Sequence, residues 1–162
     1  MKTSPCTKPV HALYPGSFDP FTRGHHDIVT RALRLFAHIT IGIGINPDKQ
    51  PFMPVEDRLE WIRAIFSGEP RVDVISYSGL TIDAAAEIGA DTLLRGVRSA
   101  EEFGYELNLA QANRNLSGIE TVLIPASPEL AAVSSSHVRE LLGNHLDATA
   151  MFPDGAPLHL LP

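Results

Sequence analysis

Tyr14-Pro15-Gly16-Ser17-Phe18-Asp19-Pro20-Phe21-Thr22-Arg23-Gly24-His25 is the stretch whose reading decides the fold. Just before it, Val10-His11-Ala12-Leu13-Tyr14 is a short apolar run stopped by Pro15-Gly16, the pattern of a buried strand. Just after it, residues 25–36 carry Ile28, Val29, Ala32, Leu33 and Phe36 at helical spacing on one face. The stretch therefore connects a strand to a helix. A Gly-Ser turn in such a place lets backbone N–H groups come close to a phosphate. Gly24 removes a side chain where a ligand must pass, and His25 lies where the helix dipole favours an anion. An imidazole there donates a hydrogen bond to a phosphoryl oxygen as charge develops on it. The plain alternative is a Gly/Pro-rich connection with a capping Thr22 and a surface histidine. The length of the run argues against it. His26 points elsewhere on the helix and reads as structural.

Working outward, further strands are expected over 39–45, 72–77, 91–94 and 121–124. Helices are expected over 55–66, 82–88 and 100–116, and from Ser135 or Ser136 through Leu142. Gly104 lies inside the third of these. The tail, 151–162, has several prolines and no clear period. Strands alternating with helices make βαβ units with right-handed crossovers. The fold class is α/β, an open parallel five-stranded sheet with helices on both faces. In such sheets ligands sit beyond the strand C-termini, near the switch in strand order. Three unusual groups, 16–25, 46–49 and 95–98, lie just beyond expected strand ends.

The chain has 162 residues, 44% of them hydrophobic, which suits one domain with a proper core. The expected organisation is a flexible leader over 1–9 and a single domain over 10–162. The net charge of −6 argues against coating nucleic acid, yet local Arg and Lys still suit a small anionic ligand. The one cysteine, Cys6, excludes an intrachain disulfide. The leader has no apolar segment of the secretory kind and no window is long enough to span a membrane, so the cytoplasm is the expected compartment. In that setting the sequon Asn115-Leu116-Ser117 is silent.

Three further constellations accompany the first. Arg95-Gly96-Val97-Arg98, read as a turn after the fourth strand, offers two guanidinium forks for two phosphate groups. Lys49 follows Asn46-Pro47-Asp48 and can reach over the sheet edge to a phosphate. Ser134-Ser135-Ser136 before a helix forms an anion nest, where plain capping needs only one serine. No Gly-x₄-Gly-Lys-Ser/Thr loop, three-glycine dinucleotide fingerprint, zinc spacing or Gly-x-Ser-x-Gly elbow is present.

Residues 14–25 resemble the signature of the nucleotidylyltransferase superfamily, (His/Thr)-x-Gly-His. The blocks Asn46-Pro-Asp-Lys49, Gly79-Leu-Thr81, Arg95-Gly-Val-Arg98, Phe103-Gly-Tyr-Glu106, Ala110-Gln-Ala-Asn113-Arg114 and Val133-Ser-Ser-Ser136 are similar, in order and spacing, to the phosphopantetheine adenylyltransferase family of coenzyme A biosynthesis. The resemblance implies a Rossmann-like domain assembled as a homohexamer. It implies adenylyl transfer from ATP, with Mg²⁺, to 4′-phosphopantetheine, and coenzyme A as a feedback inhibitor. The catalytic residues it implies are His25, Ser17, Lys49 and Arg98. It assigns Ser17, Lys49, Thr81 and Arg95 to phosphopantetheine. It assigns Ser17, Phe18, His25, Gly96, Val97, Arg98, Glu106, Leu130, Val133, Ser134, Ser135 and Ser136 to ATP, and no protein side chain to the metal. Ser17 stands where the family often has Thr, and Gly104 and Leu130 replace residues that are often larger or more polar.

The nucleophile in such a reaction is an ionised phosphate, so no general base is needed and catalysis rests on positioning and charge stabilisation. The expected course is direct in-line displacement. Rival readings are a nicotinate-mononucleotide or CTP enzyme of the same fold, a silent nucleotide-binding regulator, and a flavodoxin-like module. The blocks from Arg95 to Glu106, the triple serine and the retained His25, Lys49 and Arg95 oppose them.

Overall fold

A computed structural model describes residues 9–162. The leader expected at the amino end, Cys6 included, lies outside them but for Pro9. Five strands, β1 (His11–Gly16), β2 (His38–Ile45), β3 (Val72–Ser78), β4 (Thr92–Val97) and β5 (Glu120–Pro125), alternate with helices α1 (Arg23–Ala32), α2 (Val55–Ile65), α3 (Thr81–Glu87) and α4 (Ala100–Ser117). Helix α5 (Ser135–Gly143) follows β5. All strand pairs are parallel, in the order β3-β2-β1-β4-β5. The order switches direction between β1 and β4, which opens a crevice beyond their C-terminal ends.

Alternation along each strand explains the two faces. Ala12, Tyr14, Ile39, Ile41, Ile43 and Leu94 are buried in one core together with Ile28 and Val29 of α1, Trp61 and Ile62 of α2 and Val138 of α5. Leu13 and Leu93 point the other way and pack on Ala84 and Ala85 of α3. The five-stranded α/β sheet is therefore the one expected.

Several boundaries differ, and β1 runs on through Pro15-Gly16, which pair with Gly42 and Ile43 of β2. α1 begins two residues earlier than expected and ends at Ala32, with Thr22 as its N-cap. Phe36 stays buried although it lies in the connection after the helix. β4 runs on through Arg95-Gly96-Val97, which were read as a turn, because Arg95, Gly96 and Val97 pair with Leu123, Ile124 and Pro125 of β5. The tail makes short 3₁₀ turns, Thr149–Met151 and Leu158–Leu160, and buries Phe152 against Trp61 with ring centroids 5.1 Å apart.

Trp61 also donates its indole N–H to the carbonyl of Phe21, at 3.2 Å, so one fully buried side chain ties α2 to both the site loop and the tail. Trp61→Ala should lower unfolding free energy by about 3–5 kcal/mol, the range for losing a large buried aromatic. Urea unfolding followed by circular dichroism checks this, since the variant has no tryptophan left to report.

Candidate active site

The connection from β1 to α1 is held from beneath. Buried Asp19 accepts the backbone N–H groups of Phe52 and Met53 at 2.7 and 2.8 Å, which clamps it to the segment before α2. Arg58 of α2, itself buried, donates from Nη1 to the carbonyl of Ser17 at 2.7 Å. Phe18 adopts φ 46°, a left-handed conformation that a bulky residue takes only under local constraint. Its ring fills the space beside Gly16, where an added Cβ would come within 2.8 Å of the Phe18 ring. Gly24 sits close to the segment that leads into α5: a Cβ there would lie 3.2 Å from the carbonyl of Val133.

His25 is placed by the helix start. The Thr22 backbone N–H donates to His25 Nδ1 at 3.0 Å, and the Thr22 hydroxyl lies 3.1 Å from the same nitrogen. A nitrogen that accepts an N–H carries no proton, so the neutral ring bears its hydrogen on Nε2. Tyr14, Phe18 and Phe21 surround the ring, with centroids 6.5, 5.1 and 5.3 Å away. Desolvation by these walls, with the positive charges of Arg98 and Arg95 adding to it, lowers the imidazole pKa to about 3. At neutral pH His25 is an uncharged donor.

The two arginines do not stand free on a turn. Arg95 lies within β4; its Nε and Nη2 donate to Glu106 of α4 at 2.8 and 2.5 Å, and its Nη1 donates to the carbonyl of Pro15 at 2.7 Å. One N–H on each of Nη1 and Nη2 remains, out of five donors in the guanidinium. Arg98, beyond the strand end, is engaged with Glu102 one helical turn before Glu106, through Nε, Nη2 and its own backbone N–H. Burial tends to raise the Glu102 pKa, but the hydrogen bonds from Arg98 outweigh it and hold the carboxyl below the usual range.

The three serines divide their work. Ser134 is the N-cap of α5 and accepts from the His137 N–H; Ser135 donates its hydroxyl to the carbonyl of Pro20; Ser136 accepts from Arg139 Nη2. Ser134 and Ser136 accept and so keep their own O–H to donate, beside the N–H groups of Ser135 and Ser136 at the helix start. Arg139 bridges the same helix to the carbonyl of Asp19, at 2.7 Å.

Together these elements enclose a cleft of about 410 Å³ at the switch in strand order, lined by Ser17, Phe18, His25, Arg95, Gly96, Val97, Arg98, Glu106, Leu130, Val133 and Ser134 to Ser136. A smaller cavity of about 230 Å³ contains Thr81 and shares Pro15, Arg95 and Glu106 with the cleft. Thr81 there bonds its hydroxyl to Tyr77 at 2.9 Å. Lys49 lines neither cavity; it is exposed on the turn after β2. Sequence reasoning missed Asp19, Arg58, Glu102 and Arg139. Arg139 carried a signal, since it stands one helical turn after Ser136. Arg58 carried none, for nothing in the pattern of α2 marks an arginine that points inward.

A strand-order crevice lined by arginines, helix N-termini and a neutral histidine donor defines a nucleotidyltransferase type of α/β domain. A family model described as cytidylyltransferase-like matches residues 13–141. The phosphopantetheine adenylyltransferase of Bacteroides fragilis is 47% identical over 144 residues, which cover 89% of this chain and 96% of that protein. The enzyme of the same name from Thiobacillus denitrificans is 44% identical over 131 residues, 80% of this chain and 82% of that protein. A crystal structure of a bifunctional NMN adenylyltransferase/ADP ribose pyrophosphatase from Francisella tularensis, complexed with AMP and Mn ion, superposes with a TM-score of 0.68. It is 12% identical and covers 93% of this chain, which spans 46% of that protein, so the likeness is one of fold. The chain belongs to the cytidylyltransferase-like family, and within it to the phosphopantetheine adenylyltransferases.

The state of His25 is directly measurable. Nitrogen NMR should find the Nε2–H tautomer, with no ring protonation until the pH nears about 3. In the unfolded chain the same ring binds a proton near 6.5. Between those values the unfolded state holds the extra proton, so His25 makes the fold less stable as pH falls through that window. His25→Asn should therefore lose less stability than the parent on acidification from about 6.5 toward 4; equal losses would refute the buried neutral state.

Proposed function

We infer that the chain transfers the adenylyl group of ATP to 4′-phosphopantetheine, giving dephospho-coenzyme A and pyrophosphate in coenzyme A biosynthesis. The single observation that carries the mechanism is the fixed Nε2–H donor of His25 in a cleft of cations and free helix N–H groups. A phosphate oxygen of the acceptor attacks the α-phosphorus of ATP while the bond to the β-phosphate oxygen breaks. Pyrophosphate leaves with that electron pair. The attacking oxygen carries no proton, which suits a histidine too weakly basic to take one. His25 then serves by donating to the α-phosphoryl group as charge gathers, next to the N–H groups around Ser17.

Arg95, with one N–H left on each of Nη1 and Nη2, lines both cavities. This supports the cleft as the nucleotide's place and the smaller cavity, with Thr81, as the place of the pantetheine arm. Lys49 would approach the acceptor phosphate from the rim. Among the described residues no group of three or more His, Cys, Asp or Glu side chains stands ready for a metal. Magnesium would enter on the phosphates of ATP, where it neutralises charge, and no step here is routed through it. Coenzyme A carries both the adenosine and the pantetheine parts, so feedback inhibition at the same two cavities belongs to this reading.

Self-association belongs to it as well. α4 leaves Phe103 and Leu107 exposed on one face, apolar area that a homohexamer would cover. Among the described residues no helix is long and apolar enough to cross a membrane, and the cytoplasm is the proposed setting.

Pyrophosphate release with ATP should require 4′-phosphopantetheine; equal turnover with nicotinate mononucleotide would reject the acceptor. His25→Ala should lower kcat about 10²–10³-fold with ATP binding kept, the scale for one donor made useful in the transition state. A chiral α-phosphorus should invert, and retention would exclude direct displacement. Arg95→Ala and Lys49→Ala should raise KM for the acceptor more than for ATP.

A further inference from the structure

Glu102 lines the cleft, yet the reaction described above gives it no part. Its carboxylate occupies the Nε and Nη2 side of the Arg98 guanidinium and the Arg98 backbone N–H. Arg98 Nε donates to Oε1 at 3.0 Å and to Oε2 at 3.2 Å, Nη2 donates to Oε1, and the Arg98 backbone N–H donates to Oε2 at 2.8 Å. A fork plus a backbone amide is the donor set that a phosphate takes in bidentate fashion. The helix holds the carboxylate in that seat: Glu102 is in the first turn of α4, and its N–H donates to the N-cap Ser99 hydroxyl at 3.2 Å. Burial distinguishes this pair from its neighbour. The inner pair is 25% exposed at Arg95 and 7% at Glu106, whereas Arg98 and Glu102 are 39% and 35% exposed. An ion pair that water reaches from both sides separates at little cost.

We propose that Glu102 is an internal competitor for Arg98, a carboxylate that a polyphosphate must displace before it can take the Nε and Nη2 fork and the backbone amide. It thereby sets the affinity of the cleft and favours ligands whose charge is high enough to displace it. The inference rests on the reading that Arg98 receives the phosphates of the nucleotide. A residue lining the cleft is then one whose loss of charge tightens binding.

Titration calorimetry of the full chain tests this at low salt, with ATP, inorganic tripolyphosphate and adenosine as ligands. Glu102→Gln keeps length, helix propensity and volume while removing the charge, and Glu102→Ala removes the hydrogen bonds too. Both variants should bind ATP and tripolyphosphate about 3–5-fold more tightly, the reach of one exposed ion pair. Adenosine should be unaffected, and the gain should shrink at high salt. In an Arg98→Ala background Glu102→Gln should change nothing. Unchanged or weaker binding of both polyphosphates overturns the proposal, because the carboxylate would then be holding Arg98 in its working position. Weakening confined to titrations with magnesium overturns it in favour of a metal-linked role, and equal tightening of adenosine overturns it too. So does absence of polyphosphate binding in every variant. The tripolyphosphate titration needs no acceptor and no turnover, so failure of the proposed reaction and failure of this inference are told apart.

Discussion

The buried contact of Arg95 with Glu106 and Pro15 is the constraint on which the site depends. The Arg95 side chain projects from β4 at the switch between β1 and β4, and its three bonds join the end of β1, β4 itself and α4. A guanidinium in that position is costly to desolvate unless a carboxylate answers it. Removing one partner of such a pair generally costs about 3–5 kcal/mol, because the other charge is left buried. The pair therefore fixes how far α4 stands from the strand ends, and so the wall that the cleft and the smaller cavity have in common.

The second constraint is the seat of His25. A helix start usually satisfies its orphan N–H groups with the oxygen of Ser, Thr, Asp or Asn. Here the ring nitrogen of His25 accepts the Thr22 N–H instead. The same bond chooses the tautomer and aims the remaining N–H. Aromatic walls and two nearby arginines then keep the ring neutral. A charged imidazole in this place would bind substrate phosphates as tightly before reaction as during it. A neutral donor acts on the charge that develops, which is what lowers a barrier.

Much of this was legible in the sequence because strand and helix periods are local. Five strands, their helices and the loop from Gly16 to His25 follow from apolar spacing and from Gly, Pro and capping residues. The continuation of β4 through Arg95 was not legible: its cause is pairing with Leu123 to Pro125, nearly thirty residues on. The partners of Arg95 and Arg98 were hidden for the same reason, as charge alone does not say which carboxylate a helix will bring alongside. The triple serine marked the start of α5, but not that its hydroxyls would find partners in His137, Pro20 and Arg139, which only the packed helix reveals. The Arg58 contact to the Ser17 carbonyl depends on how α2 lies under the loop, which no spacing in the sequence records.

Helix α4 shows how one local pattern yields two different devices. Glu102 and Glu106 stand one turn apart and each meets an arginine from the strand end, so the sequence treats them alike. Burial separates them. Glu106 is enclosed, and parting it from Arg95 would strand two charges in a medium that screens them poorly. Glu102 lies at the mouth, where water takes over its hydrogen bonds as soon as it lets go. The inner pair is architecture, because its rupture costs a large part of the few kcal/mol by which a domain of this size is stable. The outer pair is exchangeable, and a polyphosphate offers Arg98 more charge than the carboxylate it replaces. An acidic chain thus keeps a cationic cleft: its arginines are answered from inside until a ligand arrives that answers one of them better.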